Sequence, residues 1–138
     1  QVMRRLFKTC VIGLLFLGNA AFAGSIVVHP SNASAMSDKD ISKIFLGKSK
    51  RFPDGNAAVP IDLSSGAVKA EFLDKVLGKS ESQLKAYWSK LVFTGKGQAP
   101  KAVNSDAEVI ELISKNPDLV GYVSDGSVTG DVKVVLTF

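Results

Sequence analysis

The sequence predicts an α/β fold, a central mixed sheet covered by helices and built as one unit. Three observations carry that expectation. Short β-branched runs alternate along the chain with segments whose apolar residues recur at helical spacing, the pattern of a sheet with helices packed on it. A length of 138 residues fits one domain. With 46% hydrophobic and 22% charged residues the composition is that of a globular chain, which excludes disordered and fibrous classes.

Residues 1–23 stand apart from that fold and read as a secretory signal peptide. Arg4, Arg5 and Lys8 form a positive n-region, and Cys10 to Gly18 an apolar stretch. Ala21-Phe22-Ala23 then places small residues at the −3 and −1 positions of a signal-peptidase site. The stretch is shorter than the roughly 20 residues that a spanning helix needs, so cleavage after Ala23 is expected, with no stable membrane insertion afterwards. Cys10 precedes the apolar run and is not placed to accept a lipid.

Setting this segment aside leaves residues 24–138 as the domain and changes its electrostatics. Three of the 17 basic residues and none of the 13 acidic ones fall in the signal, so the formal charge drops from +4 to +1. Nucleic-acid binding loses its support, since it needs clustered basic charge. Lys48, Lys50 and Arg51 form one short basic cluster, read as a solvated loop. The single cysteine also leaves, so neither a disulfide nor a thiolate metal ligand is expected in an oxidising destination.

The elements follow in order. Ser25 to Val28 is a β-branched strand ending at His29-Pro30. Ser37 offers an N-cap, with Asp38 and Asp40 suited to the helix dipole, Ile41, Ile44 and Phe45 on one face, and Gly47 as the stop. A loop with a turn at Pro53-Asp54-Gly55 leads to a strand from Ala58 to Leu63. Ser64-Ser65-Gly66 opens a helix with Val68, Phe72, Leu73 and Val76 inward, ended by Gly78. Ser80 caps the next, with Leu84, Tyr87, Trp88, Leu91 and Val92 inward and Gly95 and Gly97 as breakers. Ser105 caps another, with Val109, Ile110 and Ile113 inward, stopping near Asn116-Pro117. Leu119 to Val123 and Val132 to Leu136 are the last strands. The expected order is β-α-β-α-α-α-β-β.

Four of these segments carry a resemblance. Ile44-Phe45-Leu46-Gly47-Lys48 with Phe52-Pro53-Asp54-Gly55, then Leu63-Ser64-Ser65-Gly66-Ala67 with Phe72, then Trp88 to Gly97, then Pro117 to Val123 stand in one order. Together they resemble the phosphate-type periplasmic substrate-binding proteins of ABC importers. The resemblance implies a single lobe of the type II periplasmic-binding-protein fold, matching the second of the family's two lobes, in a small stand-alone form.

It also implies an anion site. In the family a Ser-Gly-Thr turn at a helix N-terminus, preceded by an arginine, holds the ligand. Unpaired N–H groups and the positive dipole end face the oxyanion, and the guanidinium can pair with it bidentately. Ser65 and Gly66 match that turn, with Ser64 beside them, but Ala67 stands in place of the threonine. The arginine is missing as well, and Asp62 is the only charge between Val59 and Leu63. The bland alternative gives Ser64 or Ser65 a plain N-cap role.

Other features favour structural roles. His29, the only histidine, follows the first strand, where a loop could face a binding crevice, yet no nucleophile-elbow motif supports a hydrolase. Tyr87, Trp88 and Phe93 read as core plus helix end, and Gly95-Lys96-Gly97 as a flexible turn. No enzyme activity, cofactor or metal site is expected. Two function classes follow: a periplasmic solute-binding-like protein taking phosphate or another small oxyanion, or an envelope interaction module that has lost anion binding. Partners would be the oxyanion, an envelope protein or a second copy of the chain.

Overall fold

A computed structural model describes residues 23–138; the signal-peptide reading lies outside the described residues but for Ala23. The elements are β1 (Gly24–Val28), α1 (Asp38–Phe45), β2 (Val59–Leu63), α2 (Ala67–Phe72) running into a π-helical turn (Leu73–Leu77), α3 (Glu81–Phe93), β3 (Lys101–Val103), α4 (Asp106–Lys115), β4 (Leu119–Ser124), a 3-10 turn (Asp125–Ser127) and β5 (Lys133–Thr137). They form the expected α/β lobe, with one five-stranded mixed sheet in the order β3-β2-β4-β1-β5. The strand β3 is an addition to the expected order. It is three residues long and follows Pro100, too short for a periodic signal to register.

Strands β3, β2 and β4 are parallel, while β1 runs antiparallel to both β4 and β5. From β2 the chain crosses outward to β3, then returns past β2 to β4. Parallel crossovers are right-handed, so two crossovers of opposite direction lay their helices on opposite faces. Side chains at consecutive β4 positions record this. Tyr122 stacks on Phe72 of α2 with ring centroids 4.0 Å apart. At Gly121, next to it, a Cβ would meet Val109 of α4 at 2.8 Å and Ile113 at 3.2 Å. Helices α1 and α2 therefore cover one face and α4 the other.

The core is aromatic on the α1–α2 side. Phe45, Phe72, Tyr122 and Phe138 form one cluster, all buried. The inward residues expected for α1, α2 and α4 are buried as the spacing predicts. In α3 only Leu84 and Trp88 are buried, and Val92 is 55% exposed, which corrects its assignment to the inner face.

Serines cap three helices. Ser37 with Asp40 and Ser80 with Gln83 form capping boxes, and the Ser105 hydroxyl accepts from Glu108 N–H. Helix α1 ends in a Schellman motif, with Lys48 N–H donating to Lys43 O and Gly47 N–H to Ile44 O. Gly47 sits at φ 75° with the Trp88 ring 3.1 Å from where its Cβ would be. Gly95-Lys96 closes α3 in the same way, through Lys96 N–H to Leu91 O and Gly95 N–H to Val92 O. The turn read as flexible is thus a hydrogen-bonded helix stop.

Candidate functional site

Neighbouring strand ends bring the candidate residues together. After β2 the chain passes through Ser64-Ser65-Gly66 toward α2 on one face. After β3 it passes through Asn104-Ser105 toward α4 on the other. Because β2 and β3 are adjacent and parallel, this is a topological switch point. In open α/β sheets the crevice outside the carboxyl ends of strands at such a point is where ligands bind.

The turn is tied to the next strand end. Ser64 N–H donates to Val103 O at 2.9 Å, and the Ser64 hydroxyl donates to Asn104 Oδ1 at 2.9 Å. Gly66 takes φ 116° and ψ 169°, a conformation reserved for glycine. Nothing lies within 4 Å of its missing Cβ, so the demand there is one of backbone angle and not of space.

Gly66 also occupies the N-cap position of α2, with no side-chain cap hydrogen bond. The N-cap role expected for Ser64 or Ser65 is therefore corrected: the Ser64 hydroxyl is turned to Asn104, and Ser65 is exposed without capping. Positions 64–67 are all exposed. Among the four α-helices of the described residues, α2 alone starts without a serine cap.

Asp62, at the end of β2, belongs to an inward network. Its carboxylate accepts from the Tyr122 hydroxyl and from Leu63 N–H. The Lys69 ammonium lies 3.5 Å from Asp62 Oδ2 and 3.6 Å from Glu81 Oε2. Burial, then the negative charge of Asp62 and its hydrogen bond, push the Tyr122 phenol far above its ordinary range, so it stays a donor. The Asp62 charge is thus partly compensated within the fold. Two further carboxylates stand at the same sheet edge. Asp106 accepts from Ser124 N–H at 3.1 Å and from the Ser127 hydroxyl at 2.7 Å. Asp125 accepts from the Ser25 hydroxyl at 3.1 Å.

Other expectations resolve by direction. Since β1 runs antiparallel to β4, His29 at its end lies at the opposite sheet edge from Ser64-Ser65-Gly66, where its ring pairs with the Ser31 hydroxyl. It does not face the crevice. Tyr87 donates to Leu46 O at 2.6 Å, tying α3 to the end of α1. Phe93, expected as core or helix end, is 91% exposed. Sequence reasoning missed Asn104 and Ser105 as site neighbours because it missed β3. It missed Lys69 because a lysine among apolar helix positions reads as solvent-facing, although only 8% of the residue is exposed.

Comparison with solved structures places this geometry in a class, that of the phosphate-transport substrate-binding fold. The chain is similar to an ABC-type phosphate transport receptor from Vibrio cholerae, with TM-score 0.62 and 17% identity over 83% of this chain and 45% of that one. A putative phosphate ABC transporter substrate-binding protein from Clostridium perfringens, solved with bound phosphate, gives TM-score 0.59 and 17% identity, over 83% and 44% of the two chains. PstS from Borrelia burgdorferi gives 0.56 and 18%, over 84% and 48%. The chain spans less than half the length of each of these proteins and carries the fold of that portion. No protein-family model and no curated protein matches the sequence.

Proposed function

We propose that the chain is an exported lobe of the phosphate-binding type, corresponding to the family's second lobe and offering an oxyanion half-site at Ser64, Ser65 and Gly66. The observation that carries this reading is the switch point. An exposed, uncapped helix start follows a glycine in a glycine-only conformation, at the carboxyl ends of two parallel strands. First-turn N–H groups and the helix dipole favour an anion there. The similar proteins, a phosphate transport receptor and a putative phosphate transporter substrate-binding protein with bound phosphate, agree with that ligand class.

The half-site is weak by itself. Open to solvent, dipole and backbone donors contribute about 0.3–1 kcal/mol. No basic side chain among the described residues is paired with the turn, and Lys69 already faces two carboxylates. The isolated monomer is expected to bind phosphate on the order of millimolar, about 4 kcal/mol. Tighter binding needs a second surface, from another protein or a second copy, to close over Ser65 and Gly66.

Calorimetry of the mature protein with phosphate and other small oxyanions tests this. Millimolar affinity lost in Gly66→Ala supports it; micromolar affinity in a demonstrable monomer would overturn the half-site account. A second reading, an interaction module without anion binding, rests on the carboxylates Asp62, Asp106 and Asp125 at this edge, and silence toward every oxyanion would favour it. Export is tested by intact mass, expected to begin at Gly24, with the protein in the periplasm. No helix among the described residues is long and apolar enough to cross a membrane.

A further inference from the structure

Beside the switch-point turn, helix α3 and strand β3 border an open groove of about 620 Å³, within the 300–1,000 Å³ range of small-molecule sites. The α3 residues on it are Glu81, Leu84, Lys85, Trp88, Ser89, Val92 and Phe93, one stripe of the helix, facing Ala99, Pro100 and Ala102. From Glu81 to Phe93 the stripe runs about 18 Å at 1.5 Å per residue. Its two ends differ in chemistry. Asp62, Lys69, Glu81 and Lys85 gather at one end, and Trp88, Val92, Phe93 and Pro100 lie toward the other.

The polar end is incompletely satisfied. The Lys69 ammonium has three donors, yet its carboxylate neighbours lie at 3.5 and 3.6 Å, beyond the 2.7–3.2 Å of an N–H···O bond. Asp62 Oδ1 holds the Tyr122 and Leu63 donors, whereas Oδ2 has only the distant lysine. A lysine side chain 10% exposed and an aspartate side chain 14% exposed thus line the groove side by side, at 3.5 Å from each other. A polar group buried in that condition costs roughly 1–3 kcal/mol, and a ligand that supplies both partners would recover it.

Charge decides the ligand class. Two lysines and two carboxylates at one end sum to zero, so a purely anionic head would meet Asp62 and Glu81, and a purely cationic one Lys69 and Lys85. We propose that this groove binds a small zwitterion with an apolar body, an apolar α-amino acid, its carboxylate toward Lys69 and Lys85 and its ammonium toward Asp62 and Glu81. The aliphatic or aromatic side chain then lies along Leu84, Trp88 and Val92. The site is separate from the oxyanion half-site and does not depend on it.

Trp88 is the only tryptophan in the chain and lines the groove, so its fluorescence reads occupancy directly. L-leucine and L-phenylalanine are titrated into the mature protein to about 10 mM, the range of the weakest specific binding. Two leucine fragments serve as controls, 4-methylpentanoate, which lacks the ammonium, and 3-methylbutylamine, which lacks the carboxylate. Saturable quenching or shift with an amino acid, weakened at least about tenfold for both fragments, is the expected result.

Lys69→Met should weaken it by at least about tenfold as well. Ser89→Phe, which fills the groove from an exposed helix position, should abolish it and covers the case in which Lys69→Met fails to fold. No saturable response to either amino acid overturns the proposal. So does equal affinity for 4-methylpentanoate, or binding unaffected by Ser89→Phe.

Discussion

The two sides of the sheet's α1–α2 face are built to different standards. On the β4 side, Val120 and Tyr122 have no exposed surface, and Phe72 stacks on Tyr122 at 4.0 Å with Phe45 and Phe138 edge-on around them. On the β3 side, α3 lies beside a three-residue edge strand, borders an open groove, and leaves Val92 and Phe93 in solvent. One half spends its apolar residues on a closed core. The other keeps open space beside a buried lysine. Close packing stabilises, but it leaves no room for a ligand, so stability and binding capacity belong to different regions of this small lobe.

The largest effect should come from the closed side. Phe72→Ala removes the ring shared by three aromatic neighbours and should destabilise by about 3–5 kcal/mol. The denaturant midpoint measures it, and a loss below about 1 kcal/mol would show that the two regions are equally loose. Trp88→Ala belongs to the open side. The ring packs over Gly47 at 3.1 Å and beside Gly97 at 3.7 Å, and the expected cost is about 3 kcal/mol, the low end for such a truncation. A cost above that of Phe72→Ala would reverse the comparison.

The closed side was the more legible in the sequence, for a physical reason. Phe45, Phe72 and the β4 run are apolar residues at regular spacing, and burial alone sets their place. The Ser37, Ser80 and Ser105 caps were equally readable, because each serine precedes an apolar-periodic segment with a polar residue at N3. The open side departs from such rules. Strand β3 is held by its parallel partner β2 and not by its own pattern, so it and Asn104 beside it stayed hidden. Lys69 is buried because Asp62 and Glu81 converge on it from other elements, and spacing within one helix cannot show this. At Ser64-Ser65-Gly66 the turn was legible, but its geometry was not. A serine before a helix usually caps it, and here the glycine conformation displaces both serines from that role.

A subtler effect tests the link between the two sides. Tyr122 belongs to the aromatic core, yet its hydroxyl donates to Asp62, which faces the open side. Tyr122→Phe keeps the ring and removes the donor, and should cost about 1–3 kcal/mol by leaving Asp62 less well satisfied. Its pH dependence has a definite sign. The folded-state phenol is raised well above the ordinary value, so the unfolded chain loses this proton near pH 10 while the folded chain keeps it. Stability from this group is present below about pH 10 and falls as pH rises beyond it. Chemical denaturation at about pH 8 and pH 11 should show a loss in the parent that is smaller in Tyr122→Phe. Equal losses in both proteins would mean that Tyr122 does not couple the core to Asp62.

The smallest effect belongs to an aromatic residue that the sequence places at the end of a helix. Phe93 ends α3 and is 91% exposed, so almost none of its apolar area has been removed from water and little transfer free energy is at stake. The turn of helix around it does not depend on the ring. The Schellman bonds from Gly95 and Lys96 end on Val92 O and Leu91 O, and Thr94 N–H donates to Lys90 O. Phe93→Ala should therefore change stability by no more than about 0.5 kcal/mol, against about 3 kcal/mol for Trp88→Ala five residues earlier on the same helix. The denaturant midpoints of the two variants, measured together, locate the boundary between what α3 buries and what it presents. A loss of 2 kcal/mol or more from Phe93→Ala, about the value for burying a whole Phe side chain, would mean that in solution the ring is covered. It would then be packed into the groove it borders, and the open side would be closed in the free protein.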